Sequence, residues 1–316
     1  MTDAEPLPPT PPGWVAAARR RLAELRGDAA GWGYRPRQAP CVEPTAYACL
    51  GLLATATAAE RPATRAQARG AGDWLARIRN ADGSLGLSEE WPLPPWPTAH
   101  ALLLWGALDR LGDGPPRYAA ARKQAVDFLL KFEGTRSAKD PRSPMAHDTS
   151  IPGWPWVHFT HMWVEPTALA LLALRSEGQG DHLRSSEGRR LLRDRSLPAG
   201  GWNYGNTVVL GTELRPHPGP SGLALLGLLG DPPAEEPVEL GQKYLKKILP
   251  TLRAAPSLAP GLLALAAWGQ PAAAADQWLA DAFPPAAKRS DAAYQLAWLL
   301  CAAQPAATLR LIGAKP

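Results

Sequence analysis

The sequence predicts an all-α fold, an α/α toroid in which six outer–inner helical hairpins close into a double ring. Three observations carry that prediction. One apolar phrase recurs six times, the stretches between its copies read as charged amphipathic helices, and Gly-aromatic turns punctuate the joins. With 316 residues, 46% hydrophobic and 20% charged, the chain can bury a core of that size.

Along the chain, residues 1–12 are acidic and Pro-rich and read as a short extended tail, without the apolar run of a signal peptide. The domain is expected over 13–316. Its outer helices are expected near Gly13–Arg26, Thr64–Arg79, Arg117–Glu133, Glu187–Ser196, Val238–Arg253 and Ala273–Phe283, each with one wet face. The inner phrases begin Val42-Glu-Pro-Thr-Ala, Pro95-Trp-Pro-Thr-Ala, Val164-Glu-Pro-Thr-Ala, Gly219-Pro-Ser-Gly, Leu258-Ala-Pro-Gly and Ser290-Asp-Ala-Ala. Taking Glu43, Trp96, Glu165, Gly219, Leu258 and Ser290 as equivalent, the spacings are 53, 69, 54, 39 and 32 residues, a period of stacked helical hairpins. Each phrase is apolar nearly all round, so each inner helix is buried on both sides. The proline after Glu43 and Glu165 suits a first helical turn, where its missing N–H costs nothing. The longest insert, Gly134–Ser150, is a candidate lid.

Net charge is +5, with the basic residues scattered, which gives no case for a nucleic-acid partner. Three cysteines without a CxxC pair suggest a reducing, cytoplasmic setting. No apolar run has the length of a membrane span.

Trp74-Leu75 followed by Asn80-Ala-Asp-Gly-Ser-Leu-Gly86, with Gly200-Gly-Trp-Asn-Tyr204, resembles the QW-type motif of the prenyltransferase/squalene oxidase repeat family, which includes squalene–hopene cyclases and protein prenyltransferase β subunits. The resemblance spans about residues 13 to 303. It implies an α/α toroid with a central apolar cavity for an isoprenoid. The chain departs from the characterised branches. Residue 79 is Arg where that motif has Gln, and both the DxDD acid motif and the Asp-x-Cys/His zinc set are missing.

Because outer and inner helices alternate, all inner helices run parallel and their N-termini gather at one end. That end is expected to favour anions. Arg35, Arg37, Arg142, Arg215 and Arg289 fall in its loops, with Arg35 and Arg215 as candidate contacts to a diphosphate or carboxylate. Glu43 and Glu165 begin inner helices two units apart and face the mouth. The helix dipole should hold both as carboxylates, suited to base or cation-stabilising work. With His161 as proton-transfer partner they form the candidate catalytic set. Trp32, Tyr34, Trp96, Trp154, Trp156, His158, Trp163, Trp202 and Tyr204 are the candidate substrate contacts, although Trp32 and Trp202 follow repeat-punctuating glycines and so also suit a packing role. Trp74, Trp105, Trp268, Trp278 and Trp298 fall within helices and should pack the ring. His100 reads as a satisfied core histidine. His158 and His161 have no evident third strong ligand, so neither a metal nor another cofactor is expected.

Three functions stay open at this point. The first is a terpenoid cyclase or prenyltransferase-like toroid acting on an apolar small molecule such as an isoprenoid diphosphate. The second is a non-catalytic toroid that binds a protein, peptide or lipid. The third is a paired-carboxylate carbohydrate-active enzyme. Whether the cavity is deep or plugged discriminates between the first two, and protection of Trp fluorescence by oligosaccharides would single out the third. The oligomeric state is not readable from the sequence.

Overall fold

The computed structural model describes residues 13–26, 29–112, 114–139, 145–231 and 235–314. The 1–12 tail, Arg142 and the middle of the expected lid lie outside the described residues.

Six outer–inner pairs follow in order: α1 (Gly13–Arg26) and α2 (Val42–Thr55), α3 (Arg61–Arg77) and α4 (Thr98–Arg110), α5 (Ala119–Lys131) and α6 (Val164–Ser176), α7 (Leu183–Asp194) and α8 (Pro218–Gly227), α9 (Glu236–Ile248) and α10 (Ala255–Ala267), α11 (Ala275–Ala287) and α12 (Ala292–Ala303). The expected hairpins are all present, and α1 has the expected bounds. Each inner helix packs on the next, and α12 packs on α2, so the inner ring closes. The outer ring closes where α1 meets α11. Residues 42–52 of α2 are buried except Glu43, as a helix apolar nearly all round requires. A two-residue hairpin, β1 (Val208–Val209) with β2 (Thr212–Glu213), decorates the turn between α7 and α8.

One element was not expected. α13 (Pro305–Leu311) packs against α2, α4, α10 and α12. It sits at the C-terminal ends of the inner helices, where Arg110 donates to Leu311 O and Thr308 Oγ1 donates to Cys301 O. Leu309, Leu311, Ile312 and Ala314 are buried in the same core as the inner helices. α13 therefore covers one end of the ring, and the inner helices begin at the other.

A repeated clasp orients those beginnings. The N–H of Trp32 donates to Thr45 Oγ1, that of Leu85 to Thr98 Oγ1, that of Trp154 to Thr167 Oγ1 and that of Trp202 to Ser221 Oγ. The hydroxyl of the inner helix thus satisfies the turn that leads into it, which explains the Thr of the recurring phrase. Three of the tryptophans complete the clasp through the indole. Nε1 of Trp32, Trp154 and Trp202 donates to the carbonyls of Leu22, Leu129 and Leu192 on the preceding outer helix.

Candidate functional site

At the end away from α13, Glu43 and Glu165 each occupy the second position of an inner helix. Equivalent bonds aim them. Val42 N–H donates to Leu87 O and Val164 N–H to Tyr204 O, so each helix start is tied to the following repeat's turn. Around Glu43 lies a continuous arc of rings. Tyr34 sits 5.8 Å from Tyr294, Tyr294 lies 6.4 Å from Trp298, and Trp298 packs 4.1 Å from Tyr47. Tyr47 meets His100 edge-on at 5.0 Å, His100 meets Trp96 at 5.3 Å, and Trp96 meets Trp156 at 4.8 Å. The spacing of this arc is helical. Glu43 and Tyr47 on α2, and Tyr294 and Trp298 on α12, are i,i+4 pairs that share one face.

The electrostatics differ from the expectation drawn from helix dipoles. Glu43, whose side chain is 13% exposed, makes no ion pair with a Lys or Arg among the described residues. Its pKa is pushed up to about 7, first by burial and also by the charge of Glu165, against the pull of hydrogen bonds from Tyr34 and Tyr294. Glu165 is pushed up to about 7 by burial. Desolvation here outweighs the dipole. The Tyr34 hydroxyl donates to Glu43 Oε2, and its own pKa is driven well above the usual phenol range by burial and by that carboxylate. His100 Nε2 lies 3.6 Å from Glu43 Oε1, yet burial pushes His100 down to about 3. The contact joins a neutral imidazole to a carboxyl group. Nor is His100 satisfied, since neither of its ring nitrogens has a hydrogen-bond partner.

The structure thus gathers Glu43, Tyr34, Trp96 and Trp156 at one mouth, with Glu165 acting on Glu43 from across it. Trp163 caps the start of α6, and Tyr204, half exposed, feels the charge of Glu165. The other candidates are placed elsewhere. Trp32, Trp154 and Trp202 are at most 1% exposed and belong to the repeat clasps, where their indoles are already committed. His161 is exposed and lines a cavity of about 100 Å³ with His147 and Arg195. His158 packs against Phe132 in an outer groove of about 430 Å³. Arg35, Arg37, Arg215 and Arg289 are exposed rim charges. The mouth expected to attract anions is lined by carboxyl groups. Among the described residues no group of three or more His, Cys, Asp or Glu side chains is arranged to hold a metal ion.

Tyr47, His100, Tyr294 and Trp298 belong to the site, although the sequence reading gave them no site role. The signal that could have found them is the i,i+4 spacing from residues already singled out or from one another. Trp298, read as ring packing, is the innermost ring of the arc, 3% exposed and in contact with Tyr47.

No family model matches the chain. No curated protein matches it either. Solved structures do. A variant of the type II terpene cyclase MstE from Scytonema, without ligand, superposes with a TM-score of 0.60 at 15% identity, over 93% of this chain and 96% of the cyclase. A glycosidase variant in complex with glucose gives a TM-score of 0.58 at 13% identity, over 96% and 97%. A protein from Actinoplanes gives a TM-score of 0.55 at 17% identity, over 95% and 99%. The chain is an α/α toroid. Its architecture is shared by terpene cyclases and glycosidases, and no helix among its described residues is long and apolar enough to cross a membrane.

Proposed function

We propose that the end of this toroid away from α13 is a carbohydrate site in which Glu43 and Glu165 cleave a glycosidic bond as an acid–base pair. The observation that carries the reading is the pair itself: two carboxyl groups in an aromatic mouth, both pushed up to about 7 by burial, with the charge of Glu165 also acting on Glu43. Such a dyad holds one proton between two groups at neutral pH. Glycoside hydrolysis needs that division of labour, one carboxylic acid for the leaving oxygen and one carboxylate for the water or the anomeric carbon.

The roles follow from the partners. Glu43 receives a hydrogen bond from Tyr34, which favours its anion, so it serves as base or nucleophile. Burial raises Glu165 with no such bond among the causes, so it keeps the proton and serves as general acid. Trp96 and Trp156 offer ring faces on which a sugar stacks. A carboxylic acid of pKa about 7 suits a glycosidic oxygen and is far too weak for an olefin. α13 also packs on α2, α4, α10 and α12 at the far end of the barrel, where a long isoprenoid tail would have to lie. These two points favour the sugar over the isoprenoid that the sequence resemblance implies.

The test is reducing-end release from a panel of oligosaccharides. Wild-type protein is expected to cleave at least one class, and Glu165→Gln and Glu43→Gln to cleave none. Equal release by wild type and both variants sinks the assignment.

A further inference from the structure

The mouth is one-sided in its charge. His100 is 1% exposed and both its nitrogens lack partners, although Nε2 lies 3.6 Å from Glu43 Oε1. Buried polar atoms are almost always paired, so an imidazole left open beside a carboxyl at the floor of a mouth marks a position that a ligand completes. The Tyr34 hydroxyl already donates to Glu43, Tyr294 hydrogen-bonds the same carboxyl group, and the charge of Glu165 acts on it as well. Among the described residues no Lys or Arg acts on either carboxyl group. The walls are rings, Tyr294 and Trp96 among them, whose π faces attract cations.

We infer that the ligand carries a protonated amine, seated against Glu43 and completing the hydrogen bonding of His100. The inference rests on the carbohydrate reading and sharpens its substrate class to a glycoside of an amino sugar with the nitrogen unacylated. An ammonium supplies donors to the Glu43 carboxylate and to an imidazole lone pair, and it replaces the missing counter-charge. A neutral sugar hydroxyl supplies the hydrogen bonds but no charge. An N-acetylated sugar likewise supplies no charge.

The experiment is calorimetric titration at pH 7 with a matched pair, a β-1,4-linked glucosamine tetrasaccharide and its fully N-acetylated counterpart, together with tetramethylammonium as a cation without a sugar. The amine tetrasaccharide is expected to bind at least tenfold tighter than the acetylated one. That preference should vanish in Glu43→Gln and in Glu165→Gln, and His100→Phe should weaken amine binding several-fold while helical circular dichroism is unchanged. Equal or tighter binding of the acetylated tetrasaccharide overturns the inference and leaves the carbohydrate reading standing. Binding of tetramethylammonium that both Gln variants abolish, with no binding of either sugar, supports the cation site and overturns the carbohydrate reading. No binding of any of the three overturns the inference.

Discussion

The arc of the ring made by α12, α2, α4 and α6 presents Tyr294, Glu43, Trp96 and Glu165 at or just before its helix starts, whereas α8 and α10 start with Pro218-Gly219-Pro220 and Ala255-Pro256-Ser257. On that second arc the backbones nearly touch. A Cβ on Gly219 would stand 2.8 Å from Pro256 O, and one on Gly222 would stand 2.4 Å from the carbonyl carbon of Pro260. Small residues let two inner helices close on each other and leave no space between them. On the first arc, large rings and carboxyl groups line the mouth and keep unmet polar demand within it. At the helix starts, one repeated fold unit has been given over to chemistry on one side and to close packing on the other, while deeper in the ring α2 and α12 also approach closely, a Cβ on Gly51 standing 2.8 Å from Leu300 Cβ.

Breaking the first arc should cost turnover. Glu165→Gln is expected to lower kcat by about a thousandfold on any cleaved substrate, the range typical of removing a general acid. An exposed rim change such as Arg215→Ala should stay within a factor of two. Steady-state kinetics on the pair separates the arc from its rim.

Breaking the frame should cost stability and leave the chemistry alone. Trp202→Ala removes a fully buried indole and the hydrogen bond to Leu192 O, for a loss of about 3–5 kcal/mol in chemical denaturation. On the packed arc, Gly222→Ala forces a methyl onto Pro260 and the Gly261 N–H, at about 2–3 kcal/mol. In both variants the folded fraction should keep its wild-type pH profile.

The two carboxyls also make the active arc a drain on stability, with a definite sign. Their pKa values lie above the ordinary 4.5 in the folded state, so the native protein binds more protons than the unfolded chain between about pH 4.5 and 7. Stability is highest below that window and falls as pH rises through it. Glu165→Gln should therefore be more stable than wild type at pH 8, by about 1–3 kcal/mol, and close to it at pH 4. Urea melts at the two pH values check this. The smallest expected effect is in Tyr34→Phe. Loss of the hydrogen bond to Glu43 raises that group's pKa further, so the acidic limb of the activity profile moves up by about 1 pH unit.

Much of the frame was legible from residue order. Repeated apolar phrases and charged intervals locate all six hairpins, because inner and outer helices face different solvents along their whole length. The clasp was legible too, though only in part. Trp32 to Thr45, Leu85 to Thr98 and Trp154 to Thr167 share a spacing of 13 residues, which marks those tryptophans as structural once it is seen. The β1–β2 hairpin stretches the fourth pair to 19 residues and hides it. Glu43 and Glu165 stood out because a carboxylate inside an otherwise apolar phrase needs a reason. The floor of the mouth did not. Tyr47, His100 and Trp298 look like core residues within apolar helices, and only their convergence around Glu43 distinguishes them. α13 was hidden for the opposite reason, a short apolar segment outside the repeat whose role depends on where the ring leaves a hole.

The central claim is that Glu43 and Glu165 form a coupled pair poised near neutrality. A ¹³C NMR titration of the glutamate carboxyl carbons tests it most directly, with Glu43→Gln and Glu165→Gln supplying the assignments. The account predicts two resonances that titrate near pH 7 in the wild type, with Glu43 titrating at lower pH once Glu165 is replaced. Two glutamates titrating independently near pH 4.5, unchanged by either substitution, would contradict it.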